Sequence, residues 1–254
     1  MTRDVVQHFT AIGARALVAT TPRGPVALDI RRDGRGELFD IRLPGDTGAA
    51  ILDVRPDERH LVLLVGEGRD RSRFLCGHDE RHWFVAAIPE SASVTTVTQA
   101  REALQPAPVR QAAAGLRRKL RQRRRNPGFV RQGEWFFLPV GGGLRPDVVL
   151  HNEPLRRARA STAHVIEFAH RRGGATVHVS RAHPAGLTQR EFEALPERER
   201  RRHAWWQMQR DPTVFARGRV RHPDHATIEL AGWHHVLVNT EHQAAAMRNV
   251  AVID

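Results

Sequence analysis

Val214 to Asn249 reads VFARGRVRHPDHATIELAGWHHVLVNTEHQAAAMRN, and charge, strand periodicity and histidine chemistry coincide in it. Strand side chains alternate between two faces, which puts Arg217, Arg219 and Arg221 on one face and Val214, Ala216, Gly218 and Val220 on the other. Phe215 extends the arginine face. His222-Pro223-Asp224-His225 interrupts the strand, because proline removes a ladder donor. Ala226 to Leu230 resumes an extended run, Ala231-Gly232 reads as a turn, and Trp233 to Val238 returns. Asn239 or Thr240 can cap a short alanine-rich helix from Glu241 to Arg248. The stretch therefore predicts strand, bend, strand, turn, strand, helix.

Working outward, the 254-residue chain is long enough for one large or two small domains, and at 41% hydrophobic it can bury a core. No apolar run approaches the roughly 18 residues that span a bilayer. The first residues carry Arg3, Asp4 and Arg15, so neither a signal peptide nor an anchor is expected. Cys76 is the sole cysteine, which excludes an intrachain disulfide and a multi-cysteine zinc cage. These features predict a cytoplasmic, bacterial-type protein. The net charge of +12 favours polyanionic partners, nucleic acid first and acidic protein or anionic membrane after it.

The expected fold class is α+β: a small N-terminal β-barrel or sandwich-like meander (1–105), a basic linker (106–127) and a C-terminal mixed α+β domain (128–254). Strands are read at 14–20, 26–32 and 38–43, with Asp33-Gly34-Arg35-Gly36 as a hairpin turn, since glycine supplies positive φ. Ile51 to Val54 pairs with His60 to Val65, and Arg73 to Cys76 with Trp83 to Ile88. Thr96 and Gln99 form a capping box, as do Thr188 and Glu191. Phe129 to Val140 reads as a buried hairpin broken at Gln132-Gly133. Ser161 or Thr162 is expected to cap a helix through His170, and a later helix to carry Trp205 and Met208 on one face.

The linker holds Arg117, Arg118, Lys119, Arg121, Arg123, Arg124 and Arg125 without one acid. Like charges at this density oppose an isolated helix, so the run should stay mobile until an anion neutralises it. The arginine strand adds a second basic element. Alternate strand residues lie about 6.7 Å apart, a repeat that roughly matches successive phosphates of a splayed single strand. Phe215 could stack on a base. The leading expectation is a nucleic-acid-binding protein, RNA or single strands favoured, acting through these arginines and Phe215.

Two clusters could carry chemistry. His78, Asp79, Glu80 and His82 share one turn beside Cys76. His222, Asp224, His225, His234, His235 and His242 offer imidazole and carboxylate, which suit a first-row divalent ion. The order Asp224-His225, strand, Asn239, helix resembles the ββα-metal (HNH-type) nucleases. That resemblance implies His225 as general base, Asn239 as its orienter, and Asp224 with His242 as metal ligands. It covers about twenty residues, lacks bracing cysteine pairs and places His242 close to Asn239. A metal-dependent nuclease at 222–242 is thus the second expectation. A protein-interaction module tethered by the basic run is the third.

Overall fold

The computed structural model describes residues 2–45, 47–68, 71–156 and 162–244. The chain starts with helix α1 (Thr2–Ala11), whose Val5 and Phe9 fall on one face, are buried, and pack with Ile12 just beyond the helix. Strands β1 (Ala16–Thr21), β2 (Ala27–Asp33) and β3 (Gly36–Pro44) form a three-stranded sheet of order β1-β3-β2, with β3 parallel to β1. Asp33 pairs with Gly36 across the expected hairpin turn.

Next come β4 (Ala49–Arg55), β5 (His60–Val65), β6 (Ser72–Asp79) and β7 (His82–Ile88), an antiparallel meander. Leu61 and Leu63 face the core shared with Phe9, Phe39 and Ile41, where Phe9 and Phe39 lie 4.6 Å apart between ring centroids. Val62 and Leu75 face the other way, against Val97, Ala100 and Leu104 of α2 (Val97–Ala103) and its end. With both faces covered, β5 reads HLVLLV, a continuous apolar run rather than an alternating one.

Helix α3 (Ala107–Ala113) packs Val109 and Ala113 against Phe129 and Phe136. Helix α4 (Arg118–Arg121) is a single turn of the basic run. A seven-stranded sheet follows. It contains β8 (Arg125–Asn126), β9 (Phe129–Gln132), β10 (Trp135–Pro139), β11 (Leu150–Leu155), β12 (His164–Arg172), β16 (Thr213–His222) and β17 (His225–Val238), in the order β11-β12-β16-β17-β10-β9-β8. It curls around Phe137, Ile166, Ala216, Val220 and Leu230. The curl brings Gln132 of β9 to β17, where its Nε2 donates to Ala226 O at 2.6 Å. Between β12 and β16 the chain makes an excursion through β13 (Ala175–Val179), β14 (Leu187–Thr188), α5 (Gln189–Ala194), α6 (Glu197–Arg202) and β15 (Trp206–Arg210). Its three strands form a separate sheet of order β14-β13-β15.

The α+β expectation is overturned: the molecule is mostly β, with 48% strand and 19% helix in four sheets, none closed into a barrel. The chief error is residues 162–170, which form strand β12 instead of a helix. Ile166 pairs with Val220 and Phe168 with Arg217, so β16 carries one extra residue, a bulge at Gly218-Arg219. Opposite it, Ile166 and Ala169 of β12 are both buried three residues apart, the apolar spacing of a helix. A second bulge explains β17, which runs unbroken through Ala231-Gly232. Ala216 pairs with His234 and Gly218 with Leu230, so four residues oppose two and no turn forms. Met208 lies on strand β15 and Trp205 just before it, so the two share no helix. Thr240–Gln243 is a 3-10 turn capped by Asn239; the rest of the expected terminal helix lies outside the described residues, as do Ser161 and Arg157 and Arg159. Among the described residues no helix is long and apolar enough to cross a membrane.

Candidate metal centre

Two hairpin tips meet in this fold, and they are the two histidine clusters of the sequence. The β6–β7 tip carries Asp79, Glu80 and His82, and the β16–β17 tip carries His222, Asp224 and His225. Glu80 Oε2 accepts the backbone N–H of Ala226 at 2.7 Å, and Arg81 Nη1 donates to Pro223 O at 3.1 Å. Arg124 of the basic run adds ion pairs to both Asp79 and Glu80. A cavity of about 1010 Å³ lies behind the joined tips, between the meander and the curled sheet. Its walls are mixed: Phe74, Val85 and Phe136 supply apolar surface, while Arg131 and Glu134 are polar.

His222 and His225 line this cavity, and the buried His164 adjoins them; the nearest ligating atoms of the three all lie within 4.8 Å of one another. The three histidines are therefore grouped closely enough to hold a metal ion. His164 stacks on His222 at 4.2 Å between centroids and on His225 at 5.5 Å. Each is fixed by backbone: His222 and His225 pair across the hairpin, and His164 opens β12. His164 is 2% exposed, and neither of its ring nitrogens has a hydrogen-bond partner among the described residues. His225 Nδ1, Gln132 Oε1 and Trp135 Nε1 are likewise buried without a hydrogen-bond partner among the described residues, although Glu80 Oε2 lies 3.6 Å from His225 Nδ1. Five of the eight such atoms among the described residues thus belong to four neighbouring side chains. Buried polar atoms are seldom left unpaired, since each costs about 1–3 kcal/mol. The clustering marks a place built for a polar guest.

Gly133, at the β9–β10 turn, leaves the room for it. Its φ is +57°, and a Cβ there would sit 2.9 Å from His225 Nε2 and 3.4 Å from His164 Nε2. Two imidazole nitrogens therefore converge on space that any other residue would fill.

Electrostatics keep the rings in the form a metal requires. Burial, then the neighbouring His222 and His225, pushes His164 down to about 3. Burial also lowers His222 and His225, with His225 adding to the effect on His222; Asp224 and Glu134 oppose it on both rings. Neutral imidazole is the ligating species. Three adjustments accompany ion binding. Ligands of a tetrahedral zinc stand about 3.3 Å apart, so the rings must close in by side-chain rotation. His222 Nδ1 accepts from Asp224 N at 3.1 Å. A neutral ring with a metal on one nitrogen carries its proton on the other, so that bond is given up whichever nitrogen ligates. A backbone hydrogen bond with Thr162 also acts on His222. Such losses cost about 1 kcal/mol each, against roughly 10–16 kcal/mol for a structural zinc in small peptides.

A series of ionisable groups leads from the centre. Asp224 Oδ2 lies 3.9 Å from His222 Nδ1, and its Oδ1 lies 3.4 Å from His82 Nε2. His82 Nδ1 is held by Glu37 Oε1 at 2.6 Å. Glu37 is itself fixed by the Trp83 N–H at 3.0 Å. The series Glu37, His82, Asp224, His222 joins residues from opposite halves of the sequence.

The other anticipated site residues are dispersed. Asn239 is buried, and its side chain accepts from Glu241 N at 3.3 Å as the cap of the 3-10 turn. His225 Nδ1, which an orienting amide would hold, has no hydrogen-bond partner among the described residues. The His242 side chain lies outside the described residues. Cys76 is buried, and burial pushes its thiol upward, the wrong direction for a nucleophile. In the basic run, Arg117, Lys119 and Arg123 are exposed, and Arg118 donates to Thr98 Oγ1 at 3.4 Å. Arg121 Nε is buried without a partner among the described residues, and Arg125 Nη2 donates to Glu229 O at 3.0 Å. On the outer face of β16, Arg219 pairs with Glu167 and Arg221 donates to Asn152. Arg217 and Phe215 lie among aromatic rings.

Sequence reasoning missed His164, Glu37, Gln132 and Gly133. Gly133 alone carried a signal: it was legible as a turn, but not as a gap beneath two imidazoles. Compared with protein-family models, with curated proteins and with solved structures, the chain matches none of them.

Proposed function

We propose that the chain is a metal-dependent hydrolase whose divalent ion is held by His164, His222 and His225, the last two of which line the large cavity. The observation that carries the reading is His164: deeply buried, held neutral by that burial, without a hydrogen-bond partner at either nitrogen among the described residues, and in contact with two further imidazoles. Three neutral nitrogens suit zinc or a neighbouring first-row ion, and a three-ligand site keeps a position open for water or substrate. The ion supplies Lewis acidity and lowers the pKa of a bound water. The chain supplies the rest. Gln132 Oε1 would be a buried acceptor for a water bound there, Asp224 would serve as its proton acceptor, and His82, oriented by Glu37, would relay that proton. The apolar part of the wall favours a substrate with an apolar body.

This reading keeps the ion and the 222–242 region of the nuclease expectation but changes the ligand set. His225 ligates, and His164 and His222 replace His242 and the direct role of Asp224. The test is hydrolysis of p-nitrophenyl acetate, p-nitrophenyl phosphate and bis-p-nitrophenyl phosphate by metal-stripped protein. Turnover should appear on adding zinc, manganese or cobalt, and be lost in His164→Leu. His82→Gln should lower kcat by about 10²-fold or more at unchanged metal content. Hydrolysis that persists in chelator, or that is equal in wild type and His164→Leu, overturns the reading.

A further inference from the structure

The outer face of the curled sheet carries a second constellation, away from the cavity. Along β16, residues 216, 218 and 220 are buried, so Phe215, Arg217, Arg219 and Arg221 point outward. Strand pairing sets aromatic neighbours beside them. Phe168 pairs with Arg217, His170 with Phe215, Phe215 with His235, and His151 with Phe168. The Arg217 guanidinium lies between two rings, 5.2 Å from the Phe168 centroid and 5.0 Å from that of Trp233. His170 stacks on Phe215 at 6.1 Å, and His151 meets Phe168 edge-on at 5.2 Å. Two cross-strand rows result: His151, Phe168, Arg217 and Trp233 in one, His170, Phe215 and His235 in the other.

Each feature of this face points to one kind of occupant. The rings are only partly buried, although large aromatic side chains gain most from full burial. Arg217 is exposed and forms no ion pair among the described residues; its charge is held by π faces instead of a carboxylate. Arg219 and Arg221 continue the same edge, on a chain of net charge +12. The packing is specific as well. Gly218 has φ +79°, and a Cβ there would sit 2.8 Å from Glu167 Oε2 and 2.9 Å from Phe168 Cδ2. Glycine at this point lets the β16 bulge seat Phe168 beside Arg217. Flat rings with interleaved guanidinium groups are the chemistry that stacks unpaired bases and neutralises their phosphates. A duplex hides its base faces, and an acidic polypeptide has none.

We propose that this outer face binds single-stranded nucleic acid, with bases stacking on Phe215, Phe168 and Trp233 and phosphates meeting Arg217 and Arg221, while Arg219 stays paired with Glu167. The inference is independent of the metal centre.

The test is fluorescence anisotropy of the full chain with a labelled 12-nucleotide oligo(U), an oligo(dT), a duplex of equal length and polyglutamate, each across a salt series. Single strands should bind at least tenfold tighter than duplex or polyglutamate. Phe215→Ala should weaken them about 5- to 150-fold, the range for loss of one base–ring stack. Arg217→Gln, at an exposed position, should lower the salt slope by about 0.7. Circular dichroism and zinc content of both variants should match wild type, which separates this outcome from failure of the metal centre. Equal affinity for polyglutamate and oligo(U), or single-strand binding undiminished in both variants, overturns the proposal.

Discussion

Glu80 accepts the backbone N–H of Ala226 at 2.7 Å, tying the tip of one hairpin to the tip of another 146 residues later. Glu80 also pairs with Arg124 and has φ +49°, a left-handed conformation that costs a non-glycine residue about 1–2 kcal/mol. The chain tolerates that strain to hold the two tips together. Glu80→Ala should therefore destabilise the protein by about 1–3 kcal/mol, losing a charge-assisted hydrogen bond while keeping the strain. Glu80→Gly loses the same bond and relieves the strain, so it should be the milder variant. Urea denaturation of both orders them; the reverse order contradicts the assignment of strain to this residue.

His164 makes a sharper prediction, because it separates stability from function. An unpartnered imidazole in the interior is unfavourable without its guest. In metal-free protein, His164→Leu should leave the thermal midpoint unchanged or raise it. Wild type should gain stability on adding zinc, by about 2.7 kcal/mol at a hundredfold excess over Kd. The variant should gain none. A His164→Leu protein markedly less stable than metal-free wild type would mean the ring is a packing element with polar contacts of its own.

Gly133→Ala tests the space between the imidazoles. The added methyl group meets His225 Nε2 at 2.9 Å on a backbone that disfavours any side chain. The fold should survive with a loss of about 1–2 kcal/mol, while zinc affinity falls by at least tenfold. Isothermal titration with zinc measures this, and unchanged affinity would place the ion elsewhere.

The pH dependence of the metal-free protein follows from His60 and His164, both pushed down to about 3, chiefly by burial. Unfolded histidine titrates near 6.5. Between those values the unfolded chain binds more protons, so stability is full above about pH 6.5 and is lost as the pH falls toward 3. The urea midpoint should drop between pH 7.5 and pH 5.0, a window above ordinary carboxylate titration. The drop should be smaller in His164→Leu, and an equal drop in both proteins contradicts a neutral His164.

Much of the local structure was legible because it rests on short-range chemistry. The Asp33–Gly36 turn, the capping boxes at Thr96 and Thr188, and the break at Gln132-Gly133 all depend on neighbours within four residues. What escaped was set by pairing at long range. The bulge of β16 against β12 and that of β17 against β16 come from strand register, which no single strand encodes. The site shows the same division. His222, Asp224 and His225 were visible as a bend rich in ligands, and His82 as part of a polar tip. That the two tips meet, and that His164 closes the cluster, follows from the curl of the sheet and has no local signature.

The most direct measurement is the metal content of the full chain, purified without chelator and analysed by inductively coupled plasma mass spectrometry after zinc loading and desalting. The account predicts close to one ion per chain in wild type. It predicts under a tenth of that in His164→Leu and in His225→Leu, with the secondary structure of each variant intact. Zinc retained equally by all three proteins, or by none of them, would contradict a metal centre at His164, His222 and His225.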